Sequence, residues 1–232
     1  MPAAHHKLRR KELKQKDEFL TLVGQASEFV RTHVTQMLVS AAVISAAVVL
    51  AAVFYAYSRH HARVAGEQFY QAFAAFNTKQ YDTALQRFTE LAENESGHEV
   101  GRLARFYIGA SYLAKDDAPK ARDAFVAFLQ DARDPAFKTI ALMDLGVTYE
   151  RMGDLKKAED YYRQAASAHG PQGIRAELSA ARVLEGQGNR AAAISAYQRF
   201  VEEHPFALER QDAVEALARL GVVVPESRAA TR

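Results

Sequence analysis

The chain has 232 residues, of which 49% are apolar and 25% charged, and this composition indicates an ordered protein rather than a disordered one. It contains no cysteine, which excludes disulfides, thiol chemistry and cysteine-based zinc sites. Residues 1–33 carry seven Lys/Arg against four Asp/Glu, and the part after residue 58 carries 23 against 24, so the large domain has no basic face suited to nucleic acid.

The first 33 residues form a basic tail with an amphipathic pattern at its end. Between Phe19 and Val30, apolar residues recur at i, i+3, i+4 spacing, which predicts a juxtamembrane helix. Two interpretations stay open. The helix lies on the inner leaflet or docks on a membrane partner, or it only continues the anchor helix that follows.

Residues 34–58 form a segment of 25 residues without a charge. At about 1.5 Å rise per residue the segment exceeds the roughly 30 Å hydrocarbon thickness of a bilayer, which predicts one transmembrane helix. The alternatives are a buried core helix and a cleaved signal peptide, although a signal peptide has a shorter apolar core. The seven Lys/Arg before the segment, against Arg59 and Arg63 just after it, favour a cytoplasmic N-terminus.

The rest of the chain repeats with a period of 35 to 37 residues. Each unit has a small residue, a second small residue twelve positions later and an aromatic residue four positions after that. Small residues let two antiparallel helices approach closely, and the ring fills the space between hairpins. The triplets are Ala72, Ala84 and Phe88; Gly109, Ala121 and Phe125; Gly146, Ala158 and Tyr162; and Ala181, Ala193 and Tyr197.

This period predicts an all-α solenoid of four helical hairpins over residues 65–205. Pro205 ends the fourth unit, and the amphipathic segment 206–221 predicts a C-terminal capping helix. Residues 222–232 carry no pattern and are predicted to be a flexible tail. The capping helix is expected to bury five apolar residues, which are Phe206, Ala213, Val214, Leu217 and Leu220.

The segment LMDLGVTYERMGDLKKAEDYYRQA, residues 142–165, resembles the tetratricopeptide repeat consensus. In that family the first helix of each hairpin lines a concave groove, and the resemblance assigns four positions of each repeat to it. In repeats one to three these positions are mostly apolar, whereas in repeat four they carry charges. The predicted partner-binding groove residues are Phe69, Phe73, Phe76, Leu103, Phe106, Leu113, Ile140, Met143 and Val147.

An apolar groove of this kind predicts an occupant, because each large side chain left in water costs about 1.5 to 3 kcal/mol relative to burial. Two interpretations stay open. The protein fills the groove itself, through its C-terminal helix, the helix that emerges from the membrane, or a second copy in a homo-oligomer. Alternatively, the groove binds an amphipathic helix or an extended apolar segment of a partner protein. A linker of about six residues, 59–64, would keep such a groove close to the membrane.

No catalytic motif is present, whether a Gly-rich phosphate loop, H-E-x-x-H or a nucleophile elbow. The adjacent histidine pairs His5-His6 and His60-His61 do not offer two imidazoles to one metal, because adjacent side chains on a helix point about 100° apart. The sequence therefore predicts a protein that is not an enzyme and that needs no cofactor and no metal.

The order of a basic tail, an anchor and four tetratricopeptide-like repeats resembles the YfgM-like family of bacterial inner-membrane proteins, and residues 11–30 resemble the head of such proteins. The resemblance implies a periplasmic scaffold associated with the SecYEG translocon and the chaperone PpiD, which together hand on exported chains. The other hypotheses are a structural adaptor in envelope assembly or cell division, and a cytosol-facing receptor.

Overall fold

The computed structural model describes residues 5–168 and 170–224, with side chains described from residue 31 onward and at Gly24 and Glu28. The chain divides into two compact units, Met1–Ala62 and Arg63–Arg232. All regular secondary structure within the described ranges is helical, and no strand occurs there. The prediction of an all-α fold is confirmed.

The first unit is built from helix α1, His5–Asn77, which continues into the second unit. Its apolar part is long enough and apolar enough to cross a membrane, with a mean hydropathy of 2.6 over its best window. None of that window is buried within the protein. Residues 59–64, which the sequence predicts to be a linker, are helical within α1. The amphipathic juxtamembrane pattern lies mostly outside the described side chains.

The second unit is a row of four helical hairpins followed by a single helix. The first hairpin pairs residues 63–77 of α1 with α2, and each later hairpin pairs two consecutive helices. The helices are α2 (Tyr81–Asn94), α3 (Glu99–Ala114), α4 (Ala118–Asp131), α5 (Pro135–Arg151), α6 (Leu155–Ala166), α7 (Pro171–Gly186), α8 (Arg190–Glu203) and α9 (Arg210–Arg219).

The turn inside each hairpin has the same backbone form. One residue there takes a left-handed conformation with φ between 61° and 78°, at Lys79, Asp116, Gly153 and Gly188. These four positions are again 37, 37 and 35 residues apart. From the second hairpin on, the next helix begins at an Asp or Asn whose side chain accepts a hydrogen bond from a backbone N–H of the first turn. The repeat therefore extends to the backbone of the turns.

The predicted small-residue contacts are present in every hairpin. All twelve residues of the small, small and aromatic triplets are buried. A Cβ atom built on Gly109 would lie 2.7 Å from the Phe125 ring, and one built on Gly146 would lie 2.5 Å from the Tyr162 ring. Glycine is therefore required at these two positions because the aromatic ring of the second helix lies against the backbone of the first.

The capping helix is shorter than the predicted segment 206–221. Helix α9 begins at Arg210, and Phe206 lies before it with its side chain 91% exposed. The chain between Pro205 and α9 forms turns, in which the N–H of Ala207 donates to the carbonyl of His204. Proline lacks a backbone donor and ends α8, so the chain needs several residues before a new helix starts. Residues 225–232 of the predicted tail lie outside the described ranges.

Candidate protein-binding face

An aromatic cluster covers the first helix of hairpin one. The rings of Phe69, Phe73 and Phe76 follow one another along α1, with centroids 6.3 and 6.5 Å apart. Tyr107, on α3, meets all three rings edge-on at 5.5, 5.3 and 5.7 Å. The three phenylalanines remain half-buried. The structure thus brings these three predicted groove residues together on one face, where part of each ring still meets solvent.

Tyr107 is the central residue of this aromatic cluster, and it is not among the groove residues that the sequence predicts. Its ring also stacks on Phe88 at 5.2 Å, which connects the cluster to the buried core of hairpin one. Burial raises the pKa of the Tyr107 hydroxyl. Its position, one residue after Phe106, was not among the four positions of each repeat assigned to the groove. The equivalent residue of the first repeat, 37 positions earlier, is Tyr70, which is 71% exposed. The recurrence of tyrosine at this position in two successive repeats was the sequence signal that could have indicated Tyr107.

Two of the nine predicted groove residues are buried inside the solenoid. Phe106 is 5% exposed and packs against the rings of Phe125, Phe128 and Phe137 at 5.4 to 5.8 Å. Leu113 is 9% exposed and belongs to the same apolar core. In hairpin two, therefore, these groove positions contribute to the joint between hairpins two and three, and their side chains are largely withdrawn from solvent.

The other four predicted groove residues lie on α3 and α5 and are half-buried. Ile140 and Val147 pack against the core that contains Phe106, and Met143 packs against a smaller cluster formed by Leu142, Ala165 and Ala176. Leu103 is likewise half-buried. Seven of the nine residues thus keep partial access to solvent, and the aromatic cluster is the densest part of this face. The binding role of the nine residues stays a prediction.

Asp144 occupies in hairpin three the place that Tyr107 occupies in hairpin two, 37 residues later. Phe69, Phe73 and Phe76, which surround Tyr107, correspond in the next repeat to Phe106, Ala110 and Leu113, which are all apolar. Burial raises the pKa of the Asp144 carboxyl to about 7. A carboxylate in apolar surroundings loses hydration, and this loss favours its protonated form. Near neutral pH this face therefore carries a carboxyl group that is only partly ionised.

We expect Asp144→Asn to stabilise the solenoid by an amount that depends on pH. The folded-state pKa lies above the unfolded value, so the folded chain binds the extra proton, and stability is lost as pH rises between about 4 and 7. The amide avoids this loss, so its advantage should be below about 0.5 kcal/mol at pH 4 and about 2 kcal/mol at pH 8, after allowance for screening by solvent. Urea unfolding of the full chain in detergent at several pH values measures it.

The matched control is Asp160→Asn, because Asp160 is an exposed carboxylate on α6. Its effect on the free energy of unfolding should stay within about 0.5 kcal/mol at every pH. A gain from Asp144→Asn that is the same at pH 4 and pH 8 would contradict a carboxyl group titrating near neutrality.

Toward the C-terminus the face becomes polar, because a contact between tyrosine, glutamate and arginine side chains occurs in both hairpin three and hairpin four. In hairpin three, the Tyr162 hydroxyl donates a hydrogen bond of 2.5 Å to Glu150, which also accepts one of 2.8 Å from Arg182 of the next hairpin. In hairpin four, Tyr197 donates to Glu185 at 2.9 Å, and Arg219 of α9 lies 3.7 Å from that carboxylate. Burial, followed by the hydrogen bond to Glu150, raises the pKa of Tyr162. Each carboxylate thus connects one hairpin to the element after it.

Tyr162→Phe should lower the free energy of unfolding by about 1 to 2 kcal/mol, because it removes a partly buried hydrogen bond to a carboxylate without changing the ring packing. Tyr70→Phe is the matched control, since Tyr70 is 71% exposed, and it should change stability by less than about 0.5 kcal/mol. Denaturant titration of both variants measures the difference. Equal effects of the two substitutions would show that the Tyr162 hydroxyl contributes nothing.

The polar end of the face also contains a cavity of about 360 Å³ between hairpin four and α9. Its walls carry both signs of charge, through Arg182 and Arg219 on one hand and Asp212 and Glu215 on the other. The apolar residues of α9 join the core of hairpin four, where Ala213 and Leu217 are fully buried. In the described part of the chain, the C-terminal helix therefore covers hairpin four and not the aromatic cluster.

Several solved structures have a fold similar to that of this chain. A putative kinesin light chain with tetratricopeptide-like repeats from Podospora anserina is 15% identical, with a TM-score of 0.55 over 66% of this chain and 83% of that one. The apo form of RapI is 14% identical, with a TM-score of 0.54 over 67% of this chain and 60% of that one. A Rap protein complexed with Competence and Sporulation Factor is 17% identical, with a TM-score of 0.51 over 68% and 53%. At these identities the likeness shows the fold alone.

The family comparison covers most of the chain. Residues 28–216 match the tetratricopeptide repeat-like domain, a range that includes all four hairpins and the first part of α9. The match agrees with the buried small-residue triplets, the recurring turn geometry and the row of paired helices. The chain belongs to the tetratricopeptide repeat-like domain family, whose fold is typically a non-catalytic scaffold for protein interaction.

Proposed function

We propose that this protein is a membrane-anchored scaffold that binds an apolar segment of a partner protein on the first helices of hairpins one to three. The aromatic cluster of Phe69, Phe73, Phe76 and Tyr107 carries the proposal. The three phenylalanine rings lie together and half-exposed on one face, and α9 is packed elsewhere, on hairpin four. A helix or extended segment with apolar side chains would remove the remaining ring surface from water.

The anchor in this proposal is residues 34–58 of α1. The apolar part of α1 is exposed all round, and it follows a tail with seven Lys/Arg. A helix that is apolar on every face is typical of a membrane span, and the basic flank favours a cytoplasmic N-terminus. The repeats over 65–205 and the cap within 206–221 would then lie in the periplasm of a bacterial cell, with residues 1–33 in the cytoplasm and the tail 222–232 at the far end.

The partner class in this proposal follows from the resemblance to YfgM-like proteins. The face would hold apolar segments of exported chains, or of a translocon subunit or periplasmic chaperone that handles them. A Rap protein of similar fold was solved in complex with Competence and Sporulation Factor, so a solenoid of this kind can hold a second molecule. A structural adaptor in envelope assembly or cell division would use the same face for a different protein, and a cytosol-facing receptor would require the opposite topology.

Reporter fusions after Arg232 test the topology. Alkaline phosphatase is active only after export, and green fluorescent protein folds poorly when exported through the general secretion pathway in unfolded form. We expect an active phosphatase fusion and a dark fluorescent fusion. The reverse pair of results would place the solenoid in the cytosol and overturn the periplasmic scaffold.

Site-specific photocrosslinking in cells tests the binding face. A photoreactive phenylalanine analogue at Phe73 should give discrete crosslinked products, because the ring lies in the half-exposed aromatic cluster. The same analogue at Val126, which is 37% exposed on the second helix of hairpin two, is the matched control and should give none of these products.

The identity of the products decides between the adaptor hypotheses. Crosslinks from Phe73 to a translocon subunit, a chaperone or a nascent exported chain support the scaffold that handles exported proteins. Crosslinks only to division or cell-wall proteins favour the structural adaptor. Identical patterns from Phe73 and Val126 would show that the aromatic cluster is not the binding surface.

A further inference from the structure

Three potential metal ligands from two helices converge at the end of hairpin four. Glu203 is the last residue of α8 and His204 caps it, whereas Glu177 lies on α7. The Nε2 atom of His204 is 2.8 Å from a carboxylate oxygen of Glu177. One ligand atom from each of the three residues lies within 4.8 Å of the other two. The cluster is separate from the aromatic cluster and from the polar contacts of Glu150 and Glu185.

The position of His204 is fixed by its surroundings. Its backbone N–H donates to the carbonyl of Phe200 at 3.0 Å, and its ring lies 5.1 Å from the Phe200 ring. The Phe200 side chain is itself 2% exposed, so it provides a rigid support for the imidazole. The last carbonyls of a helix also create a negative potential, which favours a cation near the end of α8.

We propose that Glu177, Glu203 and His204 form a binding site for Zn²⁺ or a similar divalent transition-metal ion. The donor set of one imidazole nitrogen and two carboxylate oxygens suits such ions, whereas Ca²⁺ and Mg²⁺ prefer oxygen ligands alone. Two carboxylates and a neutral imidazole balance the charge of the ion. Ligand bonds of about 2.0 to 2.2 Å are reached by small side-chain rotations from the observed separations. Three protein ligands leave a coordination position for water or for a group of a partner.

A bound ion would link α7 to the junction between α8 and α9, because its ligands come from both. That junction carries two strongly exposed apolar side chains, Phe206 at 91% and Leu208 at 95%. His204 directly precedes this segment, so a bound ion would fix the point from which the segment leaves the solenoid. The sequence did not indicate the site, because Glu177 is 26 residues from Glu203 and only the packing of α7 on α8 brings them together.

Zinc titration of the full-length chain in detergent tests the site. Isothermal titration with ZnCl₂ should show one saturable site that is lost, or weakened by about tenfold or more, in His204→Ala and in Glu177→Gln. His98→Ala is the matched control, since His98 also pairs with a glutamate, Glu95, at 3.1 Å, and it should bind zinc as the wild type does. MgCl₂ in excess should not compete.

Thermal melting gives a second readout that separates binding from folding. At about a hundredfold excess over Kd, Zn²⁺ should raise the melting temperature of the wild type by about 5 °C and that of Glu177→Gln by much less. The proposal is overturned if zinc binds both ligand variants as tightly as the wild type, which would assign it to other histidines such as His60 and His61. The absence of saturable binding below about 100 µM would overturn it equally.

Discussion

Replacing Phe106 by alanine should lower the free energy of unfolding of the solenoid by about 3 to 5 kcal/mol. The side chain is 5% exposed, and its ring is surrounded by those of Phe125, Phe128 and Phe137 on α4 and α5. The substitution would leave a cavity at the joint between hairpins two and three. Urea unfolding of the full chain in detergent, followed by tyrosine fluorescence because the chain has no tryptophan, measures the loss.

Phe73→Ala is the matched control, because it removes the same side chain from the predicted groove at a half-exposed position. We expect it to cost about 1 to 2 kcal/mol, since less apolar surface is buried there. The two variants should also differ in binding, with Phe73→Ala weakening partner capture more than its cost in stability would explain. Equal losses of stability would contradict the assignment of Phe106 to the core.

Gly146→Leu should be the second most damaging substitution, with a cost of about 3 kcal/mol. A Cβ atom at this position would already lie 2.5 Å from the Tyr162 ring, so a larger side chain has no room. The ring cannot move away easily, because it is 1% exposed and its hydroxyl is hydrogen-bonded to Glu150. The substitution would force α5 and α6 apart. The loss is measured by denaturant titration as for Phe106→Ala.

Gly66→Ala separates this steric effect from the general effect of removing a glycine. Gly66 lies inside α1, and a Cβ atom there would meet nothing within 4 Å. Alanine has the higher helix propensity, so we expect Gly66→Ala to stabilise the protein by about 0.5 to 1 kcal/mol. If Gly146→Leu were equally well tolerated, the close approach of α5 and α6 would not be a requirement of the fold.

The hairpins could be predicted because their packing depends on residues at fixed spacing in the sequence. A small residue, a second small residue twelve positions on and an aromatic residue four positions after that define where two helices touch. This contact repeats in all four units, so the period of 35 to 37 residues could be recognised in the sequence. All twelve residues are buried, as predicted. Residues 34–58 were readable for a different reason, since their composition alone makes them a candidate span.

The face of the solenoid was harder to predict, because exposure depends on what the neighbouring hairpin contributes. Phe106 and Phe69 are equivalent in sequence, and each contacts the aromatic residue of the second helix of its own hairpin. Phe106 is also covered by Phe128 of α4 and Phe137 of α5 and is buried, whereas Phe69 stays half-buried. Tyr107 was missed because its position was not expected to point toward the groove. The start of α9 was misplaced because Phe206 fits a helical pattern that the turn after Pro205 does not follow.

The contact of Tyr107 with Phe69, Phe73 and Phe76 limits how the solenoid can be rearranged. The hairpins are nearly equal in length, so deletion of the second one as a block of 37 residues would keep every helix in register. It would also bring Asp144 to the place of Tyr107, against three aromatic rings. The hairpins therefore cannot be exchanged freely despite their similar geometry. In the shortened chain, hairpin three would pack well on hairpin one only if Asp144 were also replaced by an aromatic residue.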